Sequence, residues 1–101
     1  MGKYVLAYTG GGGMAETEAA QQEAMARWGA WFGSLGSAVL DGGAPFGPSA
    51  KVGGGSAGSG LSGYSILQAD DLAAALKLAE GCPVLEGGGS VDVYETIDVG
   101  M

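Results

Sequence analysis

The stretch Asp41-Gly42-Gly43-Ala44-Pro45-Phe46-Gly47-Pro48 carries the most specific residue combination in the chain. Glycine, proline and aspartate are typical of turns, because they supply unusual backbone angles or accept hydrogen bonds from nearby backbone N–H groups. The stretch is therefore predicted to be a turn that follows a short apolar strand at Ser37–Leu40. After it, the sequence predicts another short strand at Ala50–Val52 and a polar, glycine-rich loop over Gly53–Gly63.

Two elements are predicted before this stretch. Residues Lys3–Thr9 are rich in β-branched and aromatic side chains, which favours a strand. Both faces of that strand are largely apolar, so we expect it to be covered on both sides. Residues 15–35 are predicted to form a helix that ends at Gly36, since apolar side chains recur with helical spacing at Met25, Trp28, Phe32 and Leu35, and are flanked by Ala24 and Trp31.

Three elements are predicted after it. A strand at Tyr64–Ala69 leads to a helix with its N-cap at Asp70 and its end at Gly81, and a last strand follows at Ser90–Ile97. The apolar stripe of this second helix is predicted to comprise Leu72, Ala73, Leu76 and Ala79. The order β-α-β-(β)-β-α-β is close to the ferredoxin-like arrangement. The predicted fold class is therefore α+β, with two helices on one face of an antiparallel sheet and the other face left for a partner in a homodimer.

Composition restricts the possible partners. The chain has 101 residues, enough for one domain over residues 1–101, and 47% of them are hydrophobic, which argues for a globular core. No apolar run approaches the roughly 20 residues of a membrane span, and no signal peptide is recognisable, so a cytoplasmic location is expected. Direct binding to nucleic acid or to an anionic membrane is not expected, because the net charge is −7 and the four basic residues are scattered at Lys3, Arg27, Lys51 and Lys77.

The sequence predicts no metal site and no cofactor. It contains no histidine, which removes the commonest general base near neutral pH and most zinc sites. Cys82 is its only cysteine, so an internal disulfide is excluded. The acidic residues lack the spacing of a calcium loop. The G-x-G-x-x-G matches within residues 53–63 are followed by a predicted strand, whereas a dinucleotide site requires a helix there.

Besides the stretch at residues 41–48, four further segments carry a family resemblance. They are Trp28-Gly29-Ala30-Trp31-Phe32, Gly63-Tyr64-Ser65-Ile66-Leu67, Ala79-Glu80-Gly81-Cys82-Pro83 and Val91-Asp92-Val93-Tyr94-Glu95. With these segments, residues 3–97 resemble the YCII-related family, and specifically its DGPF branch. The resemblance implies a dimeric α+β barrel, in which two ferredoxin-like units join sheet to sheet.

The resemblance implies little about activity. YCII-like relatives carry a His and an Asp proposed as a catalytic pair, and that pair is not carried over because this chain has no histidine. A few relatives are lyases or isomerases that act on small ring compounds. DGPF proteins are often encoded near extracytoplasmic-function sigma factors, and some are fused to them, so the resemblance alone implies sigma-factor-linked signalling.

Two roles are open for Asp41. As a turn residue, its carboxylate accepts hydrogen bonds from backbone N–H groups two residues on. As a catalytic residue, it transfers a proton in a pocket, for which its pKa must be raised by burial or by a second carboxylate. The matching hypotheses for the whole chain are a dimeric domain that binds a small ligand or a regulatory partner, and a cofactor-free lyase or isomerase acting on a small ring or lactone-like substrate.

Four further residues are candidates for ligand binding. Tyr8, Trp28 and Arg27 are expected, together with Asp41, to line a cleft between helix and sheet, where aromatic rings beside a charged group are typical of a small-molecule site. Arg27 selects an anion in this interpretation, and in the alternative it forms an exposed pair with Glu23 four residues away. Phe46 either contacts the ligand or fills the core beneath the turn.

Overall fold

The computed structural model of the chain describes residues 2–10, 17–47, 49–54 and 60–97. Within these residues it contains four strands and two α-helices, with β1 at Gly2–Thr9, α1 at Glu18–Leu35, β2 at Val39–Pro45, β3 at Leu61–Ala69, α2 at Leu72–Ala79 and β4 at Ser90–Glu95. Short 3₁₀ turns lie at Gly36–Ala38 and Pro83–Leu85. The strands form an antiparallel sheet in the order β2-β3-β1-β4. This order confirms the predicted α+β class and is compatible with the ferredoxin-like arrangement.

One face of the sheet carries the hydrophobic core. Alternation along β1 points Leu6 and Tyr8 to this face, where Leu6 packs near Leu67 of β3, and both leucines are fully buried. Trp31 of α1 and Ala79 of α2 belong to the same cluster, so both helices cover this face. The burial of each leucine side chain contributes about 1.5–3 kcal/mol.

The opposite face of the sheet also carries apolar side chains. Val5 of β1 is paired with Ile66 of β3 on one side and with Tyr94 of β4 on the other. Val5 and Ile66 are half-buried, and Tyr94 is 58% exposed. These three residues define what we call the open face. The apolar second face predicted for the first strand is therefore present, although β4 ends at Glu95 rather than at the predicted Ile97.

The turn predicted at residues 41–48 is wrong over Asp41–Pro45, which belong to β2. The register of its pairing with β3 shifts at two places, so its glycines lie in bulges within a strand. Gly43 has a φ of +75°, and a Cβ there would lie 1.7 Å from the carbonyl oxygen of Tyr64. Only glycine fits this position, which is why the composition of the stretch imitates a turn. Pro48 lies outside the described residues.

Two boundaries around β3 also differ from the prediction. The strand predicted at Ala50–Val52 is wrong, since these residues have no regular structure. β3 begins at Leu61, inside the predicted loop at 53–63, because its backbone pairing continues as far as Thr9 at the end of β1. Residues 55–59 of that predicted loop lie outside the described part of the chain.

Both α-helices have a side-chain N-cap. The N-cap of α2 is Asp71 and not Asp70, since Oδ1 of Asp71 accepts a hydrogen bond of 2.8 Å from the backbone N–H of Ala74. α1 is capped by Thr17, and the predicted helical residues 15 and 16 lie outside the described residues.

The predicted apolar stripes are partly wrong about which side chains face the core. Met25 of α1 is 73% exposed, whereas Trp31 is 6% exposed. On α2, Leu72 and Leu76 remain exposed while Ala75 is fully buried. The small alanine side chain lets the helix backbone approach the sheet closely, so the larger leucines are turned away from it.

Candidate functional site

A cleft of about 700 Å³ opens between α1, the β2–β3 side of the sheet and the segment around Pro83. Its volume lies within the range of small-molecule sites, about 300–1,000 Å³. Four of the residues selected from the sequence line this cleft: Tyr8, Arg27, Trp28 and Phe46. The fold therefore brings together residues from β1, α1 and the end of β2.

The wall formed by α1 is aromatic. Trp28 and Phe32 are four residues apart, so they lie on the same side of the helix, and their ring centroids are 5.9 Å apart. The Trp28 ring also meets the Tyr8 ring nearly at right angles, at a centroid distance of 5.1 Å. Such edge-to-face pairs contribute about 0.5–1.5 kcal/mol beyond the area they bury. This wall is consequently held in place by the domain itself and does not need a ligand to order it.

Phe46 forms the opposite end of the cleft, just after β2. Its ring stacks on that of Tyr64 at a centroid distance of 5.8 Å and an interplanar angle of 21°. Its backbone N–H donates to the carbonyl oxygen of Ser62 over 2.9 Å. The Phe46 side chain is 47% exposed, so it does not fill the core.

A chain of hydrogen bonds lies beneath the aromatic wall. The hydroxyl of Tyr8 donates to Oγ of Ser65 over 2.7 Å, and the Ser65 hydroxyl donates to the carbonyl oxygen of Gly42 over 2.7 Å. Burial raises the pKa of Tyr8 far above its ordinary value of 10.0, so the phenol stays neutral throughout the physiological range. Burial likewise raises the pKa of the Cys82 thiol to about 11, which makes this cysteine a poor nucleophile near neutral pH.

Arg27 supplies the positive charge at the cleft. Its Nη1 donates to Oε2 of Glu86 over 2.9 Å, and its Nη2 lies 3.6 Å from Oε1 of Glu23. The pair with Glu23 that the sequence predicted is therefore present, while Glu86 is the closer partner and itself lines the cleft. Half of the Arg27 side chain remains exposed to solvent. The guanidinium thus joins α1 to the segment after the second 3₁₀ turn and stays accessible from outside.

Asp41 is placed differently from the other candidates. Its side chain is exposed, and Oδ1 accepts a hydrogen bond of 2.8 Å from the backbone N–H of Gly43. This is the hydrogen bond to the residue two positions on that the sequence predicted for a non-catalytic Asp41, and it is made at a bulge of β2 instead of in a turn. Gly42 and Gly43 line the cleft whereas Asp41 does not, so the expectation that Asp41 lines it is wrong. A catalytic role for Asp41 stays a prediction.

Sequence reasoning did not select three contributors to the site. Phe32 was assigned to a core stripe, and its helical spacing from Trp28 is the signal that places it beside the cleft. Ser65 is a polar residue on the apolar side of β3, and that interruption marks a buried hydrogen bond. Glu86 has no such signal, because it is 59 residues away from Arg27 along the chain.

Two negative findings concern residues 2–10, 17–47, 49–54 and 60–97. Neither helix there combines the length and the apolar character that crossing a membrane requires. Those residues also contain no group of three or more Cys, Asp or Glu side chains placed to hold a metal ion. Comparisons of the chain with known protein families, curated proteins and solved structures found no match.

Proposed function

We propose that the chain is a small-ligand-binding domain that acts as a homodimer, with the cleft as its binding site. The observation that carries this proposal is the rigid aromatic wall around Trp28 beside the accessible guanidinium of Arg27. A few polar groups in a mostly apolar concave site are what small-molecule binding requires. A regulatory role, in which ligand binding is transmitted to a partner such as a sigma factor, stays a prediction from the family resemblance.

The proposal of a homodimer depends on the apolar side chains of the open face. Val5, Ile66 and Tyr94 place apolar groups on a sheet surface that the helices leave partly exposed. A second copy stacked on this face removes those groups from water, and a stable interface of ordinary size needs about 800 Å² from each subunit. The same contact forms the dimeric α+β barrel implied by the family resemblance.

Membership of the YCII-related family, in its DGPF branch, is part of the proposal. It is supported by the motif at residues 41–48 and by a strand order compatible with the ferredoxin-like arrangement. The bulges that these residues form in β2 bring Gly42, Gly43 and Phe46 to the cleft. The motif would then shape the ligand site through its backbone.

The alternative, a lyase or isomerase acting on a small ring compound, depends on Asp41 as the group that moves a proton. The Asp41 carboxylate already accepts a hydrogen bond from Gly43 and is exposed outside the cleft lining. Tyr8, which does line the cleft, donates its hydroxyl to Ser65. These contacts favour binding over proton transfer, so the proposed function is binding.

Native mass spectrometry of the protein purified from its own cells tests both parts of the proposal. We expect the mass of a dimer together with a defined additional mass for a retained ligand. Trp28→Ala should lose the additional mass, whereas the control Leu72→Ala, on the exposed side of α2, should keep it. A monomer would contradict the homodimer, and a ligand retained equally by both variants would contradict the assignment of the cleft.

A further inference from the structure

Several polar groups at the cleft already form hydrogen bonds within the protein. The Tyr8 hydroxyl donates to Ser65, and the Ser62 hydroxyl donates to the carbonyl oxygen of Tyr8 over 3.2 Å. The backbone N–H of Gly43 is used by Asp41. These donors are already engaged within the protein, so they add little to the recognition of a ligand.

Arg27 keeps unused donors. A guanidinium has five N–H groups in a planar fork, and among the described residues Arg27 makes one hydrogen bond, to Glu86, and one longer ion pair, to Glu23. The carboxylates of both partners are more than half exposed. Exposed ion pairs add little to stability, so another carboxylate can replace Glu86 at low cost. A planar carboxylate can occupy the fork through two parallel hydrogen bonds.

The long-range charge of the protein does not prevent this exchange. The net charge of −7 repels anions, but at physiological ionic strength the Debye length is about 8 Å. Charges beyond that distance are largely screened at an open cleft, whereas a guanidinium in direct contact with the ligand is not. Glu86 and Glu23 lie within that distance, at 2.9 and 3.6 Å from the guanidinium, so an anion gains only where its carboxylate takes the place of Glu86 in direct contact with Arg27. An amine at the same position would meet this guanidinium and be repelled.

The aromatic wall indicates what kind of group the ligand carries beside its carboxylate. Arg27 and Trp28 both line the cleft, so a ligand that fills it can contact the guanidinium and the indole ring together. Phe32 continues the wall one helical turn further along. Flat rings pack well against such surfaces by stacking or by edge-to-face contact.

We propose that the cleft selects a planar aromatic carboxylate, whose carboxylate replaces Glu86 at Arg27 while its ring packs against Trp28. This inference rests on the proposed binding function and names the class of ligand. It requires no metal and no covalent step. Glu86 then acts as an internal competitor that occupies the guanidinium when the ligand is absent.

Three probes of the same shape test the proposal: 2-naphthoate, 2-naphthamide and 2-naphthylmethylamine. Binding is measured by isothermal titration calorimetry at pH 7 and about 0.15 M salt, where the Debye length is about 8 Å. We expect naphthoate to bind about tenfold more tightly than naphthamide, as a hydrogen-bonded charge pair contributes about that factor. The amine should bind most weakly, since it brings a second positive charge to Arg27.

Variants assign the preference to named side chains. Arg27→Met should abolish the difference between acid and amide, and Arg27→Lys should keep part of it because the charge remains without the fork. The matched control Lys77→Met removes an equal charge from exposed α2 and should change nothing. Glu86→Gln should tighten naphthoate binding, whereas Glu80→Gln, an exposed acid at the end of α2, should not. Circular dichroism verifies that each variant is folded.

The outcomes separate this inference from the proposed function. If naphthamide binds as tightly as naphthoate, or the amine binds most tightly, the carboxylate preference is overturned while the cleft remains a binding site. If an acid preference persists in folded Arg27→Met, the role of Arg27 is overturned. If none of the three probes binds the wild-type protein, both the ligand class and the proposed use of the cleft for flat aromatic molecules are overturned.

Discussion

The hydroxyl of Tyr8 donates a 2.7 Å hydrogen bond to Oγ of Ser65, and both side chains are buried. The two residues are 57 positions apart in the chain and lie on neighbouring strands of the sheet. Ser65 donates in turn to the carbonyl oxygen of Gly42 in the bulged strand β2. One serine therefore connects the aromatic wall of the cleft to the edge that carries the glycine-rich motif.

Replacing this serine should be costly. Ser65→Ala leaves the buried Tyr8 hydroxyl without its acceptor, and a buried unsatisfied group costs about 1–3 kcal/mol. Gly42 is exposed, so its carbonyl oxygen can accept from water instead. Urea denaturation should show a loss of at least about 1 kcal/mol in the free energy of unfolding. The control Ser90→Ala, at an exposed position, should stay within about 0.5 kcal/mol of the wild type. Equal stability of the two variants would show that the hydrogen-bond chain contributes nothing.

The bulge at Gly43 should not tolerate a side chain. Gly43→Ala forces a residue with a Cβ into a φ of +75° and against the carbonyl oxygen of Tyr64, so the pairing of β2 with β3 must shift. We expect a destabilisation of more than about 2 kcal/mol by urea denaturation. The neighbouring Gly42→Ala is the control, because its nearest contact would be Phe32 at 3.9 Å. A fully stable Gly43→Ala protein would contradict the bulged geometry.

Stability should fall at alkaline pH. Burial raises the pKa of the Cys82 thiol from 9.0 to about 11, so the folded state holds this proton more tightly than the unfolded chain does. The contribution to stability is therefore complete below pH 9 and is lost as the pH rises towards 11. Urea midpoints should be constant from pH 7 to 8.5 and decrease above pH 9. Cys82→Ala should flatten the decrease between pH 9 and 10, and an unchanged decrease would assign it to other groups.

The open face should control the oligomeric state. Ile66→Glu places a charge at its centre, and burying an unpaired carboxylate between two sheets costs several kcal/mol. Light scattering coupled to gel filtration should give a dimer for the wild type and a monomer for the variant. Leu76→Glu makes the same kind of change on the exposed side of α2 and should remain dimeric. A dimer that survives Ile66→Glu must use another surface.

Much of the fold could be predicted from sequence patterns within single strands and helices. The composition of Lys3–Thr9 predicted a strand with two apolar faces, and β1 is a strand there, with one face covered by the helices. The motif at residues 41–48 was misassigned because a positive-φ glycine suits a bulge as well as a turn. The exposure of Met25 was also unforeseen, since helical spacing gives a stripe of apolar residues but not the part of it that faces the sheet.

The types of residue that line the cleft could be predicted from the sequence, but the contact between Arg27 and Glu86 could not. Aromatic residues near one arginine indicated a small-molecule site, and the cleft lining agrees with Tyr8, Arg27, Trp28 and Phe46. Arg27 and Glu86 meet only because the segment after the second 3₁₀ turn packs beside α1. Contacts of this kind depend on tertiary packing, and one sequence carries no periodic signal for them.

The cleft is assembled from β1, α1, the β2–β3 side of the sheet and the segment around Pro83, which are far apart in the chain. No single helix or hairpin of the domain carries it, so an occupant bound there has affinity for the folded state alone. By thermodynamic linkage, a ligand at a hundred times its dissociation constant raises the free energy of unfolding by about 2.7 kcal/mol. The melting temperature of the entire domain thus reports whether the cleft is filled, and a thermal-shift screen can search for its occupant without any assay of turnover.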